Sequence, residues 1–444
     1  MKHTPVAAVF LALLLLFCLI PSAGMLLFGA SAAGANEVQS AAPVLRDADG
    51  AWNTGYLSDL ADYVSDHFYL RQELITAHNA LTAAVFRVSA EDDVILGADG
   101  WLYYAPTLDD YTGTAPMTER ALFSAAHNLS LMQEYALAQG ADFLFVIAPN
   151  KNSLYADAMP DYGAVSETHD AQRLFALLDA YGVQYTDLFS RFSAEAEPLY
   201  FRHDSHWNTR GAALAADAIN ACFGIRSDYF SDAFAATMAH TGDLFEMLYP
   251  TAADPETDVV YGGALTLGYE TASVRPDSIT IRVSGGGEKR LLAYRDSFGN
   301  LLYPYLADSF GWSRFSRSSV YDLTAIGAED IDCVLVELVE RNLDYLLAYM
   351  PLCPSPVRAL TLPETVSGTV SAAFDSDTRA PEGCAAFTGT APAGTDADSP
   401  VYVVCGGSVY DAFLGADGAF TAYLPAEAAE TDECAVICFV SGEA

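Results

Sequence analysis

The chain has 444 residues, 52% of them apolar, and carries 58 acidic against 21 basic side chains. This length exceeds that of a usual single domain, so two or more folded units are expected. A surface this acidic repels phosphate backbones, which argues against nucleic acid as a partner. Otherwise the acidity needs no explanation beyond solubility.

The amino-terminal residues predict a segment that crosses a membrane. Lys2 precedes the apolar run 6–20, which a second run, 25–29, extends; together they make about 24 residues, enough to cross a hydrocarbon core of about 30 Å. The basic start and the acidic bulk after it place the amino terminus in the cytoplasm and the rest outside. We interpret residues 1–35 as a membrane anchor. A cleaved signal peptide is the alternative, because Ala30-Ser31-Ala32 resembles a cleavage site, and either interpretation exports the chain.

Residues 36–93 predict a helical lead-in. After a small-residue linker, apolar side chains recur at helical spacing, and residues 70–86 continue in the same manner. Two short apolar runs, 94–97 and 100–104, then surround the turn Ala98-Asp99-Gly100. This pattern predicts a β-hairpin.

Residues 94–352 predict an α/β catalytic domain with a mostly parallel sheet. A continuous apolar run such as 143–148 is typical of a strand buried on both faces of a parallel sheet. Similar runs follow at residues 183–185, 290–294 and 333–339. Helices are predicted in the same part of the chain, at residues 119–139, 171–181 and 209–223. Alternating strands and helices favour an α/β domain.

Residues 355–444 predict a small β-rich accessory domain of unassigned function. Short alternating runs at 401–405, 409–414 and 419–424 are separated by turn residues, and residues 378–400 are expected to be loops.

Most of the eight cysteines lie in this last part of the chain: Cys353, Cys384, Cys405, Cys434 and Cys438. Export would permit disulfides, but the odd number leaves their pairing unassigned. Cys222 and Cys333 lie in apolar segments and are interpreted as buried free thiols. The spacing lacks the CxxC pairs of zinc sites, so no structural zinc is expected.

Ser297, in Arg295-Asp296-Ser297-Phe298-Gly299, is the candidate nucleophile. It lies between the predicted strand 290–294 and a predicted helix at 301–306. A hydroxyl at this junction meets unpaired N–H groups and the positive end of a helix dipole, which suits a developing oxyanion. The GxSxG elbow is absent, which argues against the usual α/β-hydrolase arrangement.

His206 and Asp204 are the candidate partners of the serine. Asp204 precedes the histidine by two residues, so its carboxylate can hold the imidazole Nδ1 proton and leave Nε2 free for the serine proton. The competing interpretation is structural, with Asp204 capping the next helix and His206 packing at its base. A metal site is a further alternative, because Asp-x-His and His203-x-x-His206 resemble ligand spacings. Since no GDxxD or GNH segment completes that pattern, no metal is predicted.

In order and spacing, these segments resemble the SGNH hydrolase-like polysaccharide O-acetyltransferases of the alginate O-acetylation type (AlgX and AlgJ) and the related DHHW proteins. Ser205 departs from the DHHW pattern, which has another histidine there. The resemblance runs from Ala51 to Leu346 and is carried by Asp62-Tyr63-Val64-Ser65-Asp66-His67-Phe68, Leu96-Gly97-Ala98-Asp99-Gly100-Trp101-Leu102-Tyr103-Tyr104, Ala148-Pro149-Asn150-Lys151, Asp204-Ser205-His206-Trp207-Asn208 and Asp296-Ser297-Phe298-Gly299.

The resemblance implies a permuted SGNH hydrolase-like domain, in which the strand ending at Pro149 and the Asp-x-His segment precede the serine strand. It implies Ser297, His206 and Asp204 as the catalytic triad. It also implies a protein anchored in or exported across the membrane, working beside a membrane-bound O-acyltransferase that passes acetyl groups outward.

Ordinary SGNH enzymes hold the oxyanion with a glycine and an asparagine after the two strands that follow the serine strand. Here those strands are expected at residues 319–323 and 333–339, and their ends offer other side chains, so the second oxyanion donor is unassigned. Arg341, Tyr303 and Tyr321 are candidate substrate or oxyanion residues. The alternatives are a surface salt bridge for Arg341 and a core position for Tyr303.

The sequence therefore predicts an extracytoplasmic serine O-acetyltransferase that needs no cofactor. It would move an acetyl group through an acyl-serine onto a cell-envelope or secreted polysaccharide. A glycan acetylesterase with the same triad is one alternative, differing only in whether water or a sugar accepts the acyl group. The other is a non-catalytic envelope protein that scaffolds an acetylation complex.

Overall fold

The computed structural model describes residues 4–34, 37–232, 234–360, 372–392, 394–431 and 434–438. It begins with helix α1 (Thr4–Phe28), which contains Pro21. The stretch Val6–Phe28 is long and apolar enough to cross a membrane. A signal sequence forms the same kind of helix, so α1 agrees with both interpretations of the amino terminus.

Two helices and a hairpin lead into the main domain. Helices α2 (Tyr56–His67) and α3 (Arg71–Phe86) lie where helical spacing was found in the sequence. Strands β1 (Val94–Leu96) and β2 (Leu102–Tyr104) pair antiparallel, as the apolar runs predict. Gly100 in their turn has a φ of 80°, which glycine adopts without steric cost.

The main domain contains a seven-stranded mixed sheet in the order β4-β3-β11-β9-β10-β8-β7. The strands β4, β3, β11, β9 and β10 run parallel to their neighbours, whereas β8 and β7 add an antiparallel edge that was not predicted. Strands β5 and β6 form a separate hairpin. The bounds of these strands are β3 (Asp142–Ala148), β4 (Tyr185–Thr186), β5 (Phe234–His240), β6 (Glu256–Tyr261), β7 (Gly268–Tyr269), β8 (Thr280–Ser284), β9 (Arg290–Tyr294), β10 (Trp312–Ser316) and β11 (Cys333–Val339).

Helices cover both faces of this sheet. Their bounds are α4 (Leu108–Thr112), α5 (Glu119–Ala138), α6 (Lys151–Leu154), α7 (Asp170–Tyr181), α8 (Leu188–Ser193), α9 (Thr209–Cys222), α10 (Asp243–Leu248), α11 (Gly299–Ser309), α12 (Ala325–Ala328) and α13 (Tyr345–Ala348). Side chains of α5 and α7 share one apolar core, and those of α9 and α11 share another. Along β3, Phe143 and Phe145 enter the first core, while Leu144 and Val146 enter the second. Burial on both faces explains why β3 and β11 are apolar without alternation.

Two local predictions are wrong. The strand expected at residues 319–323 lies earlier, at β10, and the later residues contribute only the bridge between Asp322 and Leu352. Side chains there bind the local backbone instead, because Ser318 Oγ accepts from the Val320 N–H at 3.1 Å, which favours a turn over a strand. The stretch 378–400, expected to be loops, contains a strand at Cys384–Thr390.

The carboxy-terminal region is β-rich, as predicted. It forms two four-stranded sheets, in the orders β12-β16-β15-β19 and β13-β14-β18-β17. The elements are β12 (Val357–Arg358), β13 (Ala372–Phe374), β14 (Cys384–Thr390), β15 (Tyr402–Cys405), β16 (Ser408–Asp411), β17 (Phe413–Leu414), β18 (Ala419–Pro425), α14 (Ala428–Thr431) and β19 (Ala435–Ile437).

The structure pairs Cys405 with Cys434 in a disulfide, which the sequence left unassigned. Cys333 is a buried free thiol, as predicted. The same prediction is wrong for Cys222, which is exposed at the last residue of α9.

Candidate active site

The predicted serine, histidine and arginine line one cleft of about 950 Å³. Ser297 follows β9 and directly precedes α11, while Arg341 follows β11. The carboxyl ends of these parallel strands therefore open into the cleft, which is where ligands bind in open α/β sheets. His206 comes from the loop before α9.

Ser297, His206 and Asp204 meet in a continuous hydrogen-bonded row. The Ser297 Oγ lies 2.8 Å from His206 Nε2. On the other side of the ring, His206 Nδ1 lies 2.7 Å from Asp204 Oδ1, which also accepts the His206 backbone N–H at 2.9 Å. Asn208, and not Asp204, caps helix α9 by accepting from the Gly211 N–H at 3.0 Å. The capping alternative for Asp204 is therefore wrong.

The charge of this row depends on its carboxylates. Burial opposes the ionised form of Asp204, but hydrogen bonds from His206 and His240 outweigh burial and hold the pKa of Asp204 well below its ordinary value. Burial also opposes the imidazolium, yet hydrogen bonds to Asp204 and Asp243 raise the pKa of His206 to about 9. The imidazole therefore becomes a stronger base but carries a proton at neutral pH.

Sequence analysis missed His240 and Asp243, which complete the surroundings of Asp204. His240 Nε2 lies 2.9 Å from Asp204 Oδ2, and the Asp243 N–H donates to the same oxygen at 3.1 Å. His240 ends strand β5, which was not predicted and which pairs with β6 away from the main sheet. The glycine at position 242 was a sequence signal for this contact. The backbone there packs so closely on the His203 loop that an added Cβ would lie 2.1 Å from the His203 carbonyl oxygen.

Lys151 holds the loop that carries Asp204. It is buried, and its Nζ donates to the carbonyls of Phe201, Arg202 and Asp204 at 3.1, 3.0 and 2.5 Å. Burial outweighs the attraction of nearby carboxylates and lowers the pKa of Lys151 to about 7. The segment Ala148-Pro149-Asn150-Lys151 thus contributes a cation beneath the Asp-x-His segment.

Asp296 ties the serine loop to the end of β11. Its Oδ2 accepts the Val339 N–H at 2.8 Å and the Asn342 side-chain amide at 2.9 Å, and its Oδ1 accepts the Phe298 N–H at 2.9 Å. The Ser297 N–H, by contrast, has no hydrogen-bond partner within the described residues. One backbone donor beside the Ser297 hydroxyl is therefore free for a ligand.

Arg341 and Tyr321 line the cleft, whereas Tyr303 does not. The Arg341 guanidinium lies 5.2 Å from the Tyr104 ring centroid and 5.3 Å from that of Phe298. In the part of the chain that the structure describes, it pairs with no carboxylate, so the salt-bridge alternative has no partner there. Tyr303 is a buried residue of α11, and its hydroxyl lies 3.0 Å from the Tyr269 hydroxyl.

The metal alternative at the Asp-x-His segment can be compared with these contacts. One ligand atom each from Asp204, His206 and Asp243 lies within 4.8 Å of the others. Both Asp204 oxygens, however, already accept hydrogen bonds. His203 turns away, with Nδ1 3.1 Å from the Asp254 carbonyl oxygen. The hydrogen-bonded row accounts for these side chains without an ion.

Part of this domain is similar in sequence to known proteins. Residues 94–258 match the family model of the SGNH hydrolase-like domain of the acetyltransferase AlgX. The probable alginate O-acetylase AlgJ of Pseudomonas syringae pv. tomato is 28% identical over 167 residues, which cover 35% of this chain and 41% of that protein.

Solved structures that align with this chain include three bacterial proteins. A DHHW family protein from Eubacterium siraeum aligns with a TM-score of 0.41 at 16% identity, over 51% of this chain and 89% of that chain. The O-acetyltransferase domain of Pseudomonas putida AlgJ aligns with a TM-score of 0.40 at 18% identity, over 56% of this chain and 91% of that chain. Pseudomonas aeruginosa AlgX aligns with a TM-score of 0.40 at 10% identity, over 82% of this chain and 92% of that chain. The two sequence matches, each over part of the chain, confirm its resemblance to the SGNH hydrolase-like proteins of the AlgX and AlgJ type.

Proposed function

We propose that this protein is an extracytoplasmic O-acetyltransferase that carries an acetyl group on Ser297 to a hydroxyl of a cell-envelope or secreted polysaccharide. One observation carries the proposal: His206 Nε2 lies 2.8 Å from the Ser297 Oγ, while Nδ1 lies 2.7 Å from Asp204 Oδ1. This is the contact order of a serine, its general base and the carboxylate that orients the base.

The reaction has two half-reactions at the same serine. Neutral His206 takes the Ser297 proton at Nε2 as Oγ bonds to the acetyl carbon, and the donor's oxygen then leaves with that proton. Next, Nε2 takes the proton of a sugar hydroxyl, whose oxygen bonds to the acetyl carbon. Ser297 Oγ leaves and recovers its proton from the imidazolium. Asp204 stabilises the imidazolium in both halves.

We propose two donors that stabilise the tetrahedral intermediates. The free Ser297 N–H is the first. The Asn342 side-chain amide is the second, since it gives one hydrogen to Asp296 and has another to offer. A pair of preorganised donors at the oxyanion is worth several powers of ten in rate. Asn342 thus replaces the donor that the sequence left unassigned.

Helix α1 and the resemblance to the AlgX and AlgJ proteins support a proposal for the acetyl donor and for the placement in the cell. We propose that α1 anchors the chain, and that a membrane-bound O-acyltransferase presents the acetyl group on the outer side. The relatives of the AlgX and AlgJ type support a polysaccharide acceptor. The cleft offers the half-exposed rings of Tyr345 and Tyr349, whose flat faces suit sugar rings.

The test is to trap the acyl-serine. The full chain in detergent is treated with an activated acetyl ester, and the labelled peptide is located by mass spectrometry. We expect acetyl on Ser297, lost in Ser297→Ala and kept in Ser319→Ala, a serine of the same cleft. A label elsewhere, or one that survives Ser297→Ala, contradicts the proposal.

A chase separates the transferase from the esterase alternative. Labelled protein is mixed with glycan fragments or with buffer alone. Faster loss of the label with glycan, and acetyl recovered on sugar, supports transfer. Equal loss in both, with free acetate as the product, assigns an esterase.

A further inference from the structure

A second cluster of ligand-type side chains lies apart from the serine, where three elements converge. Asp110 belongs to α4, His169 precedes α7, and Glu340 follows β11. One ligand atom of each lies within 4.8 Å of the other two. The proposed acetyl transfer uses none of these side chains.

In each carboxylate of this cluster one oxygen accepts hydrogen bonds and the other accepts none, and the second oxygen of Asp110 lies 3.3 Å from His169 Nδ1. Glu340 Oε2 accepts the Asn150 N–H at 2.9 Å and the Ser153 hydroxyl at 2.6 Å, and Asp110 Oδ1 accepts the Asp170 N–H at 2.9 Å. Glu340 Oε1 and Asp110 Oδ2 are buried and lack a hydrogen-bond partner among the described residues. Because Glu340 is only 3% exposed, its free oxygen needs a bound ligand or a proton.

The Asp204 cluster provides the contrast. It also brings one imidazole and two carboxylates within 4.8 Å of one another, but both oxygens of Asp204 receive hydrogen bonds, one from His206 and one from His240. Of these two clusters, only the Asp110 cluster contains buried carboxylate oxygens that accept no hydrogen bond. Its anchored second oxygens resemble the outer contacts that orient carboxylate ligands around a metal ion.

We propose that Asp110, His169 and Glu340 bind a divalent transition-metal ion, zinc or manganese. One imidazole nitrogen and two carboxylate oxygens suit these ions better than calcium or magnesium, which favour oxygen alone. His169 Nδ1 already lies 3.3 Å from Asp110 Oδ2. Metal–ligand bonds of about 2.0–2.2 Å would require Glu340 Oε1 to move towards His169 Nδ1 and Asp110 Oδ2 when the ion binds.

The ion would fasten the segment after β11 to α4. Glu340 directly precedes Arg341 and Asn342, which line the cleft. Binding is therefore expected to stabilise the fold, and the inference stands without the proposed acetyl transfer. The competing occupant is a proton, because burial and Asp110 raise the pKa of Glu340 to about 7.

Metal content and thermal stability test the inference. The full chain, purified in detergent without a histidine tag and stripped with a chelator, is titrated with Zn²⁺ or Mn²⁺. Bound metal is measured after gel filtration, and unfolding is followed by temperature. We expect about one equivalent of metal and a rise in Tm of several degrees. His169→Ala and the isosteric Glu340→Gln should lose both effects.

Two matched variants keep the test specific. Asp109→Asn removes a neighbouring carboxylate of α4, and Asp243→Asn removes one from the Asp204 cluster. Both should retain one equivalent. Absence of bound metal in the wild type assigns the cluster to a proton and overturns the inference. Metal that persists in folded Glu340→Gln and His169→Ala, or that Asp243→Asn abolishes, overturns it as well.

Discussion

Asp243 Oδ2 lies 3.4 Å from His206 Nδ1, the nitrogen that Asp204 contacts at 2.7 Å. The imidazole thus faces two carboxylates. Asp243 itself is held by the Ser205 N–H at 2.7 Å and the Ser205 hydroxyl at 2.6 Å. Ser205, which replaces a histidine of the DHHW pattern, therefore positions the second carboxylate.

The first prediction concerns pH. Burial opposes the imidazolium, but Asp204 and Asp243 raise the pKa of His206 to about 9. Only the neutral imidazole accepts a proton, so the rate of Ser297 acylation should rise with pH and level off above about 9. Asp243→Asn removes one negative charge, so it should move the midpoint to lower pH. Each unit of lowering gives about tenfold more neutral imidazole at pH 7.

Stopped-flow measurement of acylation across this pH range checks the prediction. Asp93→Asn is the control, because Asp93 lines the cleft but forms no hydrogen bond or ion pair with His206. It should keep the wild-type midpoint. An Asp243→Asn midpoint equal to that of the wild type contradicts the assignment of Asp243.

His240 is predicted to be a positioning residue for Asp204. It donates to Asp204 Oδ2 at 2.9 Å and stacks on Phe201 at 3.9 Å between ring centroids. His240→Ala should lower the acylation rate about tenfold, the value of one hydrogen bond to a charged group. It should also move the pH midpoint upward, because Asp204 then serves His206 alone. His240→Gln, which can keep a donor, should recover most of the rate. An unchanged pH profile in His240→Ala would count against this role.

Lys151 is predicted to support both the fold and the site. Lys151→Met keeps the length of the side chain but leaves the carbonyls of Phe201, Arg202 and Asp204 without their donor. The free energy of unfolding should fall by about 1–3 kcal/mol. Acylation should also slow, because the Asp204 loop loses its anchor. Lys289→Met, at a partly exposed lysine, is the control for thermal unfolding. Equal Tm values for the two variants speak against the prediction.

Arg341 is predicted to serve the glycan and not the acetyl donor. Its guanidinium lies within 5.3 Å of the centroids of the Tyr104 and Phe298 rings and pairs with no carboxylate among the described residues. Arg341→Ala should raise the KM for the acceptor about tenfold and leave acylation by a small ester unchanged. Arg341→Lys, which keeps the charge, should fall between. Equal losses in both half-reactions would instead assign Arg341 to the chemistry.

The sequence predicted those parts of the fold that burial determines. The strands β3, β9 and β11 are recognisable because both faces of each are covered, which leaves a nearly continuous apolar run, broken in β11 by the buried Glu337. The Ser297, His206 and Asp204 set was also predicted, because Ser297 lies in a compact motif after a buried strand and the other two lie in a compact motif just before a predicted helix. The contact between Ser297 and His206, 91 residues apart, needed the structure.

The remaining features depend on long-range pairing that local patterns do not reveal. Strand β5 carries His240, but it pairs with β6 away from the main sheet. Tyr303 was a candidate cleft residue because it follows Ser297 by one or two helical turns, and the structure supports the alternative of a core position: it is buried on α11, with its hydroxyl 3.0 Å from that of Tyr269. Spacing along a helix shows which side chains share a face, but the packing of the helix must be known to tell whether that face meets the cleft or the core.

Chemical rescue of His206→Ala tests the central claim most directly, namely that His206 activates Ser297. Acylation by an activated acetyl ester is followed in the wild type, in His206→Ala, and in His206→Ala with added imidazole. We predict a loss of about 10²–10⁴-fold in His206→Ala, the usual contribution of a general base, with partial recovery in imidazole and the label still on Ser297. An acylation rate that His206→Ala leaves unchanged would contradict the account.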